Sequence, residues 1–214
     1  MRNEKLSWCR IIFFILACWL FFLFFSCTST KIDSDFSPVF VTNSSKYKIL
    51  PPESMSGSVE ELQRMEAVFG KNQIEADIYV IANSEQLSMI LMSEFGTTVA
   101  ELFYDGENLD FESSVFPKKL KPEYIVADFQ FCLYDAEILK SKLAEIGLDF
   151  NVSSECEPNG FCTETRVMSQ NYKIISKVTK KFEKNQKTEV NELKSIKYEN
   201  FLRGYSYELA GVSE

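Results

Sequence analysis

Hydrophobic and polar residues alternate along much of the chain beyond residue 58. In QIEADIYVIA (73–82), Ile74, Ala76, Ile78 and Val80 alternate with Glu75, Asp77 and Tyr79. That period of two belongs to a strand with one buried face. TVAELFY (98–104) sets Val99, Glu101 and Phe103 against Ala100, Leu102 and Tyr104, and the Asp-Gly of YDGE turns it back into NLDFES. Between these lies QLSMILMSEF (86–95), read as a strand that ends at Gly96. VEELQRMEAVF (59–69) is ambiguous, because Leu62, Met65 and Phe69 also fit a helical face. The Gly70-Lys71-Asn72 turn behind it favours a strand.

The period changes at Pro117. In LKPEYIVADFQFCLYDAEILKSKLAEIG (120–147), Tyr124, Ile125, Asp128, Phe129 and Cys132 recur at spacings of three and four. Pro122 suits the first position of that helix. Asp135 can cap a second one, carrying Ile138, Leu139, Leu143 and Ile146, and Gly147 stops it. Alternation then returns in LDFNVS, FCTETRVMS, YKIISKVTKKF, TEVNELKSIKY and RGYSYELAGV. Short successive turns imply antiparallel neighbours. The expected fold is mainly β, nine or ten strands with one helical insertion, in a single domain over 47–212.

The first 46 residues have another character. Arg2, Lys5 and Arg10 precede an uncharged run, IIFFILACWLFFLFFS (11–26). This is the layout of a signal peptide over 1–26, and its 16 residues fall short of the ~17–25 of a membrane span. An uncleaved signal anchor is the alternative. FFSC resembles a lipobox, the cleavage and lipidation site of bacterial lipoproteins, although Phe24 and Phe25 stand where Leu and a small residue are usual. The resemblance implies lipidation of Cys27 and attachment to a membrane of the cell envelope, most simply the periplasmic side of the outer membrane. TSTKIDSDFSPVFVTNSSK (28–46) then reads as the greater part of a flexible tether over 27–46.

Charge and composition narrow the function. The chain has 23 Lys plus Arg and 31 Asp plus Glu, a net charge of −8. An acidic chain is a poor partner for nucleic acid. There is no histidine, which removes imidazole catalysis and histidine-ligated zinc. No compact pair of carboxylates marks an active site, so neither an enzyme nor a cofactor is expected. Cys156 and Cys162 flank Pro-Asn-Gly in CEPNGFC, and that turn can either bring them into a disulfide or leave two free thiols. Cys132, in an apolar run, reads as a small core residue. Three cysteines without histidine make no usual zinc site.

The stretches ILPPES (49–54), EFGTTVAELFYDGENLDF (94–111) and PEYIVADFQFCLYDAEIL (122–139) resemble an uncharacterised family of bacterial lipoproteins akin to LolA/LolB-like outer-membrane lipoprotein-sorting proteins. That resemblance implies a curved antiparallel sheet, an incomplete β-barrel closed by helices, around a cavity for lipid or acyl chains. A barrel filled by its own core, serving as a structural or interaction lipoprotein, is the alternative. The resemblance also implies a membrane-contact loop at Phe95 and Gly96. Phe95 either protrudes from that turn or folds back on the sheet edge.

Overall fold

The alternating stretches pair in sequence order wherever a short turn links them. The computed structural model describes residues 36–55, 57–184 and 191–212. The predicted signal peptide, Cys27 and the tether as far as residue 35 lie outside these residues. All the core residues named below belong to one compact unit, 34–214.

The strands are β1 (Val39–Phe40), β2 (Lys46–Tyr47), β3 (Val59–Phe69), β4 (Asn72–Ala82), β5 (Leu87–Met92), β6 (Thr98–Tyr104) and β7 (Leu109–Ser113). Two helices follow, α1 (Pro122–Leu133) and α2 (Ala136–Glu145). The chain then adds β8 (Asp149–Cys156), β9 (Phe161–Gln170), β10 (Lys173–Lys184), β11 (Asn191–Asn200) and β12 (Tyr205–Gly211). β1 and β2 form a small hairpin, and the other ten strands form one sheet in the order β7-β6-β5-β4-β3-β12-β11-β10-β9-β8. All its pairings are antiparallel. β12 returns from the end of the chain to pair with β3, joining the strands before the helices to those after them.

The sheet is not closed into a barrel, since β7 and β8 are its two edges. It does bend. Four strand spacings separate β7 from β3, roughly 19 Å on a flat sheet. Yet the Phe116 ring lies 6.1 Å from Phe111 of β7 and 6.2 Å from Phe69 of β3. α1, about 18 Å long by its rise per residue, touches β7 as well as β10 and β11. One short helix reaches strands so far apart only if the sheet folds around it.

One face of the sheet is therefore inner. Met65, Ala67, Ala76, Ile78, Val80, Leu87, Met89, Leu91, Ala100 and Leu102 are buried on it, at the alternate positions set by the strand period. α1 lies against this face with Val126, Phe129, Phe131, Cys132 and Leu133 buried, and α2 adds Leu139 and Leu143. Asp135 caps α2 by accepting from the N–H groups of Glu137 and Ile138, at 2.9 and 3.0 Å. Gly147 leaves the helix at φ +77, where a side chain would be strained.

The domain begins earlier than residue 47. Val39 and Tyr47 are almost fully buried, Phe36 packs edge-on against Tyr104 at 5.5 Å, and β1 pairs with β2. Residues 36–46 thus belong to the fold, although their Ser and Thr content reads as tether. The next segment is clamped by Gln130. Its amide oxygen accepts from the Tyr47 hydroxyl at 2.8 Å and from the Leu50 N–H at 3.0 Å, and its amide nitrogen donates to the Leu50 carbonyl. That carbonyl also accepts from the Tyr104 hydroxyl at 3.0 Å. A buried amide satisfied on both sides fixes its neighbours, since leaving any of these groups unpaired costs about 1–3 kcal/mol.

Candidate functional site

The inner face is not filled completely. A cleft of about 510 Å³ lies between it, the first two turns of α1 and the segment 115–121. The strand period aims Met65, Ala67 and Phe69 of β3 into it, with Ile74, Met89, Tyr205 and Tyr207 from neighbouring strands. The helix period aims Tyr124, Ile125, Asp128 and Phe129 into it from the other side. Its size falls within the ~300–1,000 Å³ usual for small-molecule sites.

Segment 115–121 forms one wall. The Ser113 hydroxyl accepts from the N–H groups of Val115 and Phe116, at 3.1 and 2.9 Å, and sets the bend that turns Phe116 inward. Phe116 meets Phe69 edge-on, while Phe69 stacks on Tyr205 at 5.4 Å. Tyr207 continues the aromatic surface, stacked on Phe129 at 6.1 Å and on Tyr198 at 5.2 Å.

One polar group interrupts this surface. Asp128 is partly buried and accepts from the Tyr205 hydroxyl at 2.6 Å. Withdrawal from water pushes its carboxyl up to about 7, against the hydrogen bonds of Tyr205 and Tyr198 and the charge of Arg203, which pull the other way. The Tyr205 hydroxyl is held well above its ordinary range by burial and by the Asp128 charge. Arg203 donates to the carbonyl of Phe40 and lies over the Tyr124 ring at 4.9 Å. Nothing here resembles an activated nucleophile. The Cys132 thiol, 3.4 Å from the Tyr207 hydroxyl, is pushed up to about 12 by burial. Among the described residues no three His, Cys, Asp or Glu side chains gather as a metal site, and no helix is long and apolar enough to cross a membrane.

Phe95, Gly96, Cys156 and Cys162 are not among the residues that line the cleft, and Cys27 lies outside the described residues. Cys156 and Cys162 sit directly opposite each other on β8 and β9 and are joined by a disulfide, with Cα atoms 4.0 Å apart. Glu157–Gly160 makes the turn between them, closed by the Gly160 N–H on the Glu157 carbonyl at 3.0 Å. Phe95 stands on the turn joining β5 and β6 and is 92 % exposed, so it projects from the turn. Ser93 ties the turn: its hydroxyl accepts from the N–H groups of Phe95 and Thr97, and its carbonyl from the Gly96 N–H. Gly96 takes φ +73 there. Tyr172 and Phe201, exposed on the β9–β10 and β11–β12 turns, are aromatics of the same kind that sequence patterning passed over.

Of the cleft itself, the sequence carried one readable sign. Asp128 is a carboxylate inside the apolar stripe of α1, where packing alone would favour a hydrophobic residue. Arg203 and the segment around Phe116 carried none.

Residues 60–211 match the model of a family described as a protein of unknown function, DUF3261, and the chain belongs to that family. No curated protein matches it.

Proposed function

We propose that this DUF3261 protein holds an acyl chain of a lipid or lipoprotein in its cleft while a lipid on Cys27 tethers it to the cell envelope, on the periplasmic side of the outer membrane. The observation that carries the reading is the apolar cleft of about 510 Å³ inside the bend of the sheet. Aliphatic and aromatic side chains surround it on three sides, which suits a chain that gains from leaving water along its whole length, at about 0.8 kcal/mol per buried CH₂. An open sheet bent over helices is also the shape expected from the resemblance to LolB-like proteins. Phe95 supplies a contact for the bilayer. Its ring is exposed on a turn held by Ser93, and burying such a ring in a membrane is worth about 1.5–3 kcal/mol.

The unit 34–214, purified without detergent, tests the cleft. Native mass spectra should show a lipid-sized addition that organic extraction removes. A clean protein mass, with no uptake of a fluorescent fatty chain, would overturn the reading. The membrane side has its own tests. Palmitate label should enter the whole chain and be lost in Cys27→Ser. Phe95→Glu should weaken co-sedimentation of the unit with liposomes at unchanged melting temperature, and unaltered co-sedimentation would remove Phe95 from the proposal.

A further inference from the structure

The cleft has two unlike ends. Along β3, Phe69 lies at the β3–β4 turn and Met65 four residues further in, about 13 Å by the strand rise. The inner end, around Met65, Met89, Phe129 and Tyr207, presents only apolar and aromatic side chains. At the outer end, near Phe69 and Asn72, the lining includes Lys119, Lys121 and Arg203. Asp128 is the single acid among the lining residues, one helical turn inside Tyr124, and Tyr205 and Tyr198 already donate to it.

This is the reverse of the molecule's general charge. The chain is −8 overall, yet three cations face one carboxylate around this opening. Arg203 has its partners in Phe40, Tyr124 and the field of Asp128. Among the described residues Lys119 and Lys121 have no carboxylate partner. Both are exposed, and both flank the start of α1, where Lys121 occupies the cap position and makes no side-chain bond to the helix N–H groups. The positive end of the helix dipole therefore adds to their charge, offset in part by Glu123 in the first turn.

We infer that the occupant is an acidic amphiphile, its chain running inward along β3 and its carboxylate or phosphate head held at the opening by Lys119, Lys121 and Arg203. The inference rests on the acyl-chain reading and makes it specific, since a neutral chain would gain nothing from these cations. It also fixes polarity. A head driven to the inner end would lose its water without finding a donor, whereas the lysines meet it where water still reaches.

A fluorescent polyene fatty acid and its methyl ester, which has the same chain and no charge, separate the two ideas on the 34–214 unit. The acid should bind about tenfold more tightly than the ester, the scale of one charge-assisted contact. Its affinity should fall with added salt while that of the ester stays level. Lys119→Gln with Lys121→Gln should lower acid binding about five- to tenfold and leave ester binding and the melting temperature unchanged, since both positions are exposed. Displacement by an alkyl phosphate tells which head is preferred, and either preference supports the inference. Equal binding of acid and ester, or a double variant that weakens both alike, overturns the head site and leaves the acyl-chain reading standing. Failure of both probes to bind overturns both.

Discussion

The two ends of α1 are held in opposite ways. Its C-terminal end is locked. Arg166 of β9 donates to the carbonyls of Phe131 and Tyr134, at 3.3 and 2.7 Å, and pairs with Glu164 at 2.7 Å. Lys180 of β10 meets the same carboxylate at 2.5 Å. Gln130, one turn back, grips the backbone of Leu50. The N-terminal end is tied more lightly, by an exposed hydrogen bond in which the Tyr124 hydroxyl accepts from the Phe40 N–H at 3.2 Å and by Asp128 accepting from Tyr205, and open space lies beside it instead of packed side chains. The lesson is a division of labour within one helix. Directional polar bonds at one end set the helix on the sheet, so the other end can leave an apolar space unfilled without the helix shifting to close it.

The first way to break this comparison is to unlock the C-terminal end. Glu164 lies between two largely buried cations. Burial alone would raise its carboxyl, but the hydrogen bonds of Lys180 and Arg166 outweigh that and hold it below the ordinary range. Glu164→Gln leaves Arg166 and Lys180 facing each other uncompensated. Breaking a buried pair in this way costs about 3–5 kcal/mol, or roughly 6–20 °C in melting temperature for a domain of this size. The same group sets an acid limit. A carboxyl with a lowered folded-state pKa contributes stability above its unfolded value and loses it as pH falls through the folded one. Wild type should therefore weaken on acidification below the ordinary glutamate range, and Glu164→Gln should lack that component. A loss under about 1 kcal/mol would mean that this end is no more fixed than the other.

The strands, both helices and their stops can be read from the sequence, because alternation, Pro122, Asp135 and Gly147 each act through neighbours in the chain. Local rules fail at residues 36–46. Ser and Thr are four of their eleven residues, as many as Phe and Val together, and Phe36, Val39 and Val41 find partners on residues far along the chain, so no window of the sequence contains both sides of that contact. The disulfide could not be chosen over two free thiols, since only the pairing register places Cys156 across from Cys162. The cleft was the least legible feature. Ala67 and Ala100 carry the same alternating signature, yet one lines space and the other packed core. Asp128 and Arg203 approach through the return of β12 to β3, across 75 residues of chain.

A second prediction probes the open end through the one carboxylate that lines the cleft. Asp128 is raised to about 7 in the folded protein, while an unfolded aspartate titrates near 4. A raised pKa contributes stability that is whole below the unfolded value and is lost as pH rises through the folded one. Between about pH 4 and 7 this group should therefore reduce stability with rising pH, then have no further effect. The full shift corresponds to about 4 kcal/mol, and its contact with the cleft and its water reduces this to about 1–2 kcal/mol. Asp128→Asn keeps an acceptor for Tyr205 and removes the titration. Denaturant midpoints from pH 4 to 8 should show the variant gaining on wild type up to about pH 7 and running parallel above it. A constant offset across the range would mean that Asp128 stays ionised and that the open end is wetter than its lining suggests.

The smallest effect on stability should be the most informative about the space itself. Ala67 lies on the inner face of β3 between Met65 and Phe69, almost without solvent exposure, and borders the cleft. Ala100 on β6 is equally buried and does not border it. Enlarging a side chain in a close-packed core typically costs about 1–3 kcal/mol, through strained rotamers and displaced backbone. Ala100→Phe should pay that cost in its melting temperature. Ala67→Phe has the cleft to grow into, so its change should stay within about 1 kcal/mol, with new contacts to the aromatic lining offsetting whatever adjustment remains. The added ring would occupy the path between Phe69 and Met65, so uptake of a fatty chain should be lost while the fold persists. If both variants melt equally early, the space near Ala67 is closed in solution and the open end of α1 is packed like the locked one. If Ala67→Phe is stable and still takes up the chain, the cleft exists but the ligand lies elsewhere in the molecule.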